Sequence, residues 1–100
     1  MTKTEREHYD KLHNLGCIAC YVLGYGNSPA EIHHIRHETG AGRKAAFNEA
    51  IPLCPRHHRL GGYGIAYHSG RLGFERHVGM TEVELLELTN KLLERQNHER

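Results

Sequence analysis

The sequence has little of what small proteins usually build a core from. Only 38% of its residues are hydrophobic and tryptophan is absent, so the apolar core must be thin. We expect residues 1–100 to form a single domain, and a metal that ties its segments together would help it to fold. No stretch approaches the ~18 consecutive apolar residues that span a bilayer, so we expect no membrane segment.

An excess of one charge is also lacking. The chain has 13 lysines and arginines and 12 aspartates and glutamates, and its net charge of +1 does not indicate a nucleic-acid-binding protein. The charged N-terminal segment has no apolar stretch typical of a secretory signal, so we expect a cytoplasmic protein. In that reducing compartment the 3 cysteines favour metal ligation or free thiols over disulfides.

Histidine, in contrast, is abundant. The chain has 10 histidines, against about two at ordinary usage, and they are scattered rather than gathered in a tag. Histidine is the commonest metal ligand and a general base near neutral pH. Half of these residues are expected to be solvated surface groups, namely His8, His13, His37, His77 and His98. The others lie near the cysteines or near glycine turns and are candidates for function.

The apolar pattern predicts helices at both ends of the chain. Residues 3–15 form the first helix, which Gly16 ends. Residues 81–95 form the second, opened by a capping box between Thr81 and Glu84. The remaining core, about residues 17–78, contains strand-like patterns, so the fold class is α+β.

Within this core the sequence alternates between short apolar runs and turn formers. Residues 21–25, 30–35 and 45–53 are predicted strands, and residues 36–44 are a predicted loop. A helix can begin at Cys54-Pro55, with residues 60–64 interrupting it. A further helix is predicted over residues 69–78, ended by Gly79.

Two short motifs indicate a structural zinc site. Cys17-x-x-Cys20 and Cys54-x-x-His57 together use every cysteine in the chain. One turn can present two ligands at this spacing, and structural Zn²⁺ takes four such ligands in a tetrahedron. The alternative is buried cysteines without metal, with Cys17 and Cys20 as a redox couple. Nothing upstream has the strand–helix–strand pattern of a thioredoxin motif, which favours zinc.

The adjacent pair His33-His34 and the residue His58 indicate a second site. Neighbouring residues on a strand point to opposite faces, so one ring of the pair can bind a metal while the other faces substrate. His58 directly follows a zinc ligand and would be held rigidly by it. This set suits phosphodiester hydrolysis, in which a divalent cation stabilises negative charge and a neutral histidine accepts a proton from water. His68 follows the glycine-rich residues 60–64 and is a further candidate.

Basic residues cluster in sequence around these histidines, whereas acidic residues lie toward the C-terminus. A basic rim would contact DNA phosphates without reading bases, although solvated surface charge explains the same residues. Nothing resembles a recognition helix, so we expect low sequence specificity. The rim residues are Arg36, Arg43, Lys44, Arg56, Arg59 and Arg71, and the acidic ones are Glu75, Glu82, Glu84, Glu87 and Glu94.

Several strings in this chain resemble a known family. AEIHHI followed by IPLCPRHHR resembles the HNH endonucleases, which share a ββα-metal fold. LGCIAC, GYGNSPAEIHHIRH, IPLCPRHHRLGGYGIAYHSGR and FERHVG resemble more specifically the phage recombination-enhancement nucleases, the Ref family of RecA-dependent nucleases. The resemblance covers roughly residues 15–88. It implies a small ββα-metal domain with a zinc knuckle pair and flanking helices.

The resemblance also implies roles for single residues. His34 would be the general base. The catalytic cation, Mg²⁺ or Mn²⁺, would be bound by His33, His58 and His68. The structural Zn²⁺ would be held by Cys17, Cys20, Cys54 and His57.

One position departs from the HNH pattern. Common HNH sequences carry an asparagine five residues before the cysteine that opens the last knuckle, and this chain has Glu49 there. Asn48, one residue away, is the candidate catalytic asparagine. Either a strand bulge rotates Asn48 into place, or this chain orients its base differently.

We therefore expect a metal-dependent endonuclease that hydrolyses phosphodiester bonds in DNA. The residues leave open whether a recombinase filament is a partner, whether the DNA is single- or double-stranded, and which oligomer forms. One alternative is a zinc-binding interaction module without catalysis, which leaves the second histidine group unexplained. Another is an inactive HNH relative, which the displaced asparagine keeps open.

Overall fold

Helices surround a two-stranded antiparallel sheet in the computed structural model, which describes residues 1–35 and 48–98. This arrangement confirms the predicted α+β fold class. The strands are β1 (Glu31–His34) and β2 (Ala50–Leu53). The α-helices are α1 (Lys3–Leu15), α2 (Ile18–Leu23), α3 (Arg71–Val78) and α4 (Glu82–His98). Within the described ranges, every helix is too short or too polar to cross a membrane.

Helix α1 covers the predicted residues 3–15, and local chemistry sets both of its ends. The Thr2 hydroxyl accepts a hydrogen bond from the Glu5 N–H at 3.1 Å, which caps the first turn. Gly16 ends the helix with a φ of 84°, a conformation that favours glycine. A side chain at Gly16 would also collide with Asn27. The chain therefore turns sharply before the first cysteine.

The predicted strand over residues 21–25 is wrong, because α2 occupies most of this range. The Cys17 sulfur caps the helix by accepting a hydrogen bond from the Cys20 N–H at 3.4 Å. Gly24 closes it in the left-handed conformation, and its N–H reaches the carbonyl oxygens of Cys20 and Tyr21. Burial of Ile18 in the core then outweighs the β-propensity of the aromatic and branched residues that follow.

The sheet is short and regular. His33 pairs with Ile51 and His34 with Ala50, and the Ile35 N–H donates to the Glu49 carbonyl oxygen at 2.8 Å. Every residue of β2 is buried. The predicted strands over 30–35 and 45–53 are thus confirmed at 31–34 and 50–53, whereas the predicted loop 36–44 lies outside the described residues.

A single π-helical turn, Arg56–Leu60, follows β2 where a helix was predicted to begin. The Gly61 N–H donates to the Arg56 carbonyl oxygen at 2.8 Å, a bond that spans five residues and widens the turn. A side chain at Gly61 would collide with that same carbonyl. The turn buries His57 and leaves its neighbour His58 half-buried, so the two rings face different surroundings.

The C-terminal part has the predicted helices with small shifts. A 3₁₀ turn over Tyr67–Ser69 precedes α3, which begins at residue 71 rather than 69 and ends at Gly79. The capping box of α4 is present, because the Thr81 N–H donates to Glu84 Oε1 at 2.8 Å and the Glu84 N–H donates to Thr81 Oγ1 at 3.1 Å. The largest fully buried apolar side chains are Phe74, Leu12, Ile18, Ile35, Ile51, Leu53 and Leu85.

Removal of this cap should weaken the fold measurably. We expect Thr81→Ala to lower the free energy of unfolding by about 1 kcal/mol, since the first turn of α4 loses a side-chain acceptor. Thr81→Ser keeps the hydroxyl and should stay close to wild type. Urea denaturation followed by circular dichroism measures both, and equal stability of the two variants would contradict the capping role.

Candidate metal centres and active site

Four buried ligand residues come together between α2, the end of β2 and the π-helical turn. Their sulfur and nitrogen atoms all lie within 4.8 Å of one another. The N-terminal end of α2 contributes two thiols, the residue after β2 contributes the third, and the turn contributes the imidazole. The four residues are Cys17, Cys20, Cys54 and His57.

The spacing of these atoms fits a tetrahedral zinc ion. The Cys20 and Cys54 sulfurs are 3.8 Å apart, and the His57 Nδ1 atom lies 3.2 to 3.7 Å from the three sulfurs. Zn–S bonds of about 2.3 Å and Zn–N bonds of about 2.0 Å give tetrahedral edges of about 3.5–3.8 Å. The donor set and its dimensions therefore suit a structural metal such as zinc.

Burial keeps Cys17 and His57 of this cluster uncharged when no cation is bound. Burial raises the pKa of the Cys17 thiol to about 12, so a thiolate there needs a positive partner. Burial, with smaller contributions from His77 and Arg56, lowers the pKa of His57 and keeps its ring in the neutral form that binds metals. The Ser28 hydroxyl donates a hydrogen bond to the Cys20 sulfur at 3.2 Å, which orients that ligand.

A second group of ligand residues consists of His33 from β1, His58 from the π-helical turn and His68 from the 3₁₀ turn. One nitrogen of each ring lies within 4.8 Å of those of the other two. The Nε2 atoms of His58 and His68 are 3.0 Å apart. His33 is buried, His58 is half-buried and His68 is exposed, so the group opens to solvent on one side.

The three histidines line an open depression of about 290 Å³. His34 also lines it, and its Nε2 atom lies 3.0 Å from the Tyr9 hydroxyl of α1. The Tyr9 and His34 rings meet edge to face, with centroids 5.8 Å apart. The depression therefore combines three candidate ligand rings with a fourth imidazole.

A buried glutamate supports His33. Glu82 Oε2, from the first turn of α4, lies 3.0 Å from His33 Nε2. Burial opposes ionisation of Glu82, but hydrogen bonds from His33 and Tyr67 outweigh it and lower the pKa of the carboxyl. Burial and the contact with Glu82 raise the pKa of Tyr67 to about 12, so its hydroxyl remains a donor.

A second glutamate supports His58. Glu31 Oε1 lies 2.9 Å from His58 Nδ1, and Glu31 Oε2 accepts a hydrogen bond from Arg59 Nη2 at 2.8 Å. Hydrogen bonds from Arg59 first and His58 second lower the pKa of Glu31 to about 2, so the carboxylate is ionised at neutral pH. Arg59, a predicted DNA-binding residue, is therefore engaged within the protein.

The remaining predicted site residues do not lie among the described residues that line the depression. Asn48 is an exposed turn residue and is absent from the described residues that line the depression. One-to-one pairing from Glu31 to His34 leaves no bulge in the described strand pairs, so the bulge that would rotate Asn48 is not found there. The predicted rim residues Arg36, Arg43 and Lys44 lie outside the described residues.

The two supporting glutamates, Glu82 and Glu31, were not predicted as site residues. Glu82 was predicted only as one of the acidic residues toward the C-terminus, and it is 3% exposed. Its register with the buried residues Leu85, Thr89 and Leu93 on α4 is the signal that would have identified it. Glu31 had no comparable signal, because its contacts depend on the position of the π-helical turn.

The predicted surface histidines also differ among themselves. His13 is exposed as expected, and its Nδ1 donates to the Ala30 carbonyl oxygen at 2.9 Å. His77 is half-buried instead and stacks on His57 of the four-ligand cluster, with ring centroids 5.9 Å apart. His8 is half-buried on α1. His37 and the side chain of His98 lie outside the part of the chain that the structure describes.

Comparison with known families gives one match that covers most of the chain. The family described as "Recombination enhancement, RecA-dependent nuclease" matches residues 1–94. The matched region contains both ligand groups and the two glutamates that support the histidines.

Loss of one thiol from the four-ligand cluster should weaken metal binding. We expect Cys54→Ser to bind less zinc than wild type and to lose helical structure, because the metal supplies part of the folding free energy. Metal content by mass spectrometry and far-ultraviolet circular dichroism measure this. His77→Ala changes a ring beside His57 that is outside the ligand set, and it should keep the zinc content of wild type. Wild-type zinc content together with wild-type helicity in Cys54→Ser would exclude this site.

Proposed function

Because the chain belongs to the recombination enhancement, RecA-dependent nuclease family, we propose that it is a single-domain, metal-dependent DNA endonuclease of the HNH type. The observation that carries this proposal is the convergence of three imidazoles beside His34 in one open depression. A nuclease needs such a place, where a phosphate can meet a cation and a base together.

The proposed cation ligands are His33, His58 and His68. Three imidazole nitrogens favour a first-row transition cation over Mg²⁺, which prefers oxygen ligands. Mn²⁺ is thus the better match of the two expected cations. When bound, the cation would neutralise charge on the scissile phosphate and on the leaving oxygen.

His34 is the proposed general base. It lies on the same strand as His33 and lines the same depression. Tyr9 holds its ring through the 3.0 Å contact at Nε2, which restricts the ring to one orientation. An imidazole in this place can accept the proton of the attacking water at neutral pH. The catalytic role of Asn48 stays a prediction.

The zinc cluster is proposed to support the depression structurally. His57 belongs to the cluster and His58 to the depression, and the two are neighbours in the π-helical turn. A metal held by Cys17, Cys20, Cys54 and His57 would fix the backbone of that turn and hence the position of His58.

DNA and a RecA filament are the proposed partners, because the family name joins a nuclease to RecA. Arg56 and Arg71 are exposed and available to phosphates, although Arg71 also pairs with Glu75 at 3.0 Å. Contact of Arg36, Arg43 and Lys44 with DNA stays a prediction. The proposed place of action is the cytoplasm. For a phage-encoded chain this is the cytoplasm of the host.

Alteration of the proposed base should slow cleavage strongly without loss of the fold. We expect His34→Ala to nick supercoiled plasmid about 10²–10⁴-fold more slowly in the presence of Mn²⁺, since the general base is lost. His13→Ala removes an exposed histidine outside the depression and should cleave like wild type.

This comparison is made with and without RecA and single-stranded DNA, with zinc content measured in parallel. If the wild type cuts no substrate under any of these conditions, the zinc-binding module without catalysis becomes the better reading. Equal cleavage by wild type and His34→Ala would contradict the role of His34.

A further inference from the structure

We infer that Glu82 and Glu31 are positioning residues that fix opposite tautomers in two neighbouring histidines, His33 and His58. The inference rests on the proposed function, because it concerns the rings that would bind the cation. It draws on residues outside the ligand set, and the two carboxylates come from different elements, α4 and β1.

The contact between Glu82 and His33 determines which nitrogen of His33 carries the proton. An ionised carboxylate only accepts hydrogen bonds, so the His33 nitrogen that faces it must donate. That nitrogen is Nε2, 3.0 Å from Glu82 Oε2, and both side chains are buried. A neutral His33 therefore carries its proton on Nε2 and leaves Nδ1 as the free ligand atom.

The surroundings of Glu82 hold its carboxylate in this orientation. The Tyr67 hydroxyl donates to Glu82, and the Tyr67 ring packs on His33 with centroids 4.0 Å apart. The Glu82 N–H donates to Glu75 Oε2 at 2.7 Å, which fixes the backbone at the start of α4. Neither His33 nor Glu82 can turn without breaking these contacts.

Glu31 imposes the opposite tautomer on His58. Glu31 Oε1 faces His58 Nδ1 at 2.9 Å, so this ring carries its proton on Nδ1 and leaves Nε2 free. The unprotonated Nε2 lies 3.0 Å from His68 Nε2, inside the ligand group, where it accepts a hydrogen bond when no cation is bound. Arg59 donates to both oxygens of Glu31, at 3.1 and 2.8 Å, and so holds the carboxylate in place.

Carboxylates behind the ligand rings would serve metal binding in two ways. They select the nitrogen that faces the cation, and they increase the basicity of the ring. The exposed Arg59 then acts through Glu31 on His58, and its contact with DNA phosphate stays a prediction. Helix α4, which looks like a flanking element in the sequence, supplies one of the two carboxylates.

Nitrogen-15 NMR of the histidine rings tests the inference directly. The sample is wild type loaded with one equivalent of zinc per chain, without further divalent cation, at about pH 8, above the ordinary imidazole pKa of about 6.5. We expect the proton on Nε2 in His33 and on Nδ1 in His58. A proton on Nε2 of His58 would overturn the inference, since that is the tautomer a ring without a carboxylate partner prefers.

Two variants test the consequence for metal binding. Glu82→Gln and Glu31→Gln should each weaken Mn²⁺ binding, measured by calorimetry on zinc-loaded protein, by about 10- to 100-fold. Glu87→Gln changes an exposed carboxylate on the same helix and should bind Mn²⁺ like wild type. Unchanged Mn²⁺ affinity in both test variants would overturn the inference.

These measurements separate the inference from the proposed function. If Glu82→Gln fails to fold, the Mn²⁺ affinity of Glu31→Gln and the tautomers in wild type still test the inference. Glu31→Gln should fold, because Glu31 is only partly buried. Expected tautomers in a protein that binds no Mn²⁺ and cuts no DNA would support the inference and contradict the function. If the protein cleaves DNA but His58 carries its proton on Nε2, the proposed function is supported and the inference is overturned.

Discussion

The convergence of three thiols and one imidazole is the constraint on which the rest of the structure depends. It joins the start of α2, the end of β2 and the π-helical turn, three segments that are separate in sequence. The apolar core alone is thin, and Cys17, Cys20 and Cys54 are themselves members of its main cluster. A metal bound there would stabilise the core and the turn together, and the position of His58 follows from the placement of His57.

The depression depends in turn on contacts that cross the whole domain. Its histidines come from β1 and from two turns, while carboxylates from β1 and α4 lie behind them. Tyr9 from α1 reaches His34 in the same region. The terminal helices α1 and α4 therefore each contribute a side chain to the candidate site, in addition to packing on the sheet. Within this region Arg59 pairs with Glu31, a carboxylate that also contacts His58.

Much of this architecture can be predicted from the sequence because its signals are local. Helix α1 and the capping box of α4 depend on residues a few positions apart, and the spacing of the cysteine motifs indicates one four-ligand site. The pair His33-His34 with His58 similarly indicates a second site. The strand predicted over residues 21–25 was wrong, because a sulfur cap and burial of Ile18 outweigh the strand propensity of the residues that follow.

The sequence by itself determined the α+β class, the terminal helices, the two groups of candidate metal ligands and the resemblance to a nuclease family. Only the tertiary structure decided which carboxylates face which histidines, that Glu82 is buried, and that Arg59 pairs within the protein. The reason is physical. Caps, turns and ligand spacing act over a few residues, whereas a buried hydrogen bond such as that between His33 and Glu82 joins residues 49 positions apart and depends on how the helix packs on the sheet.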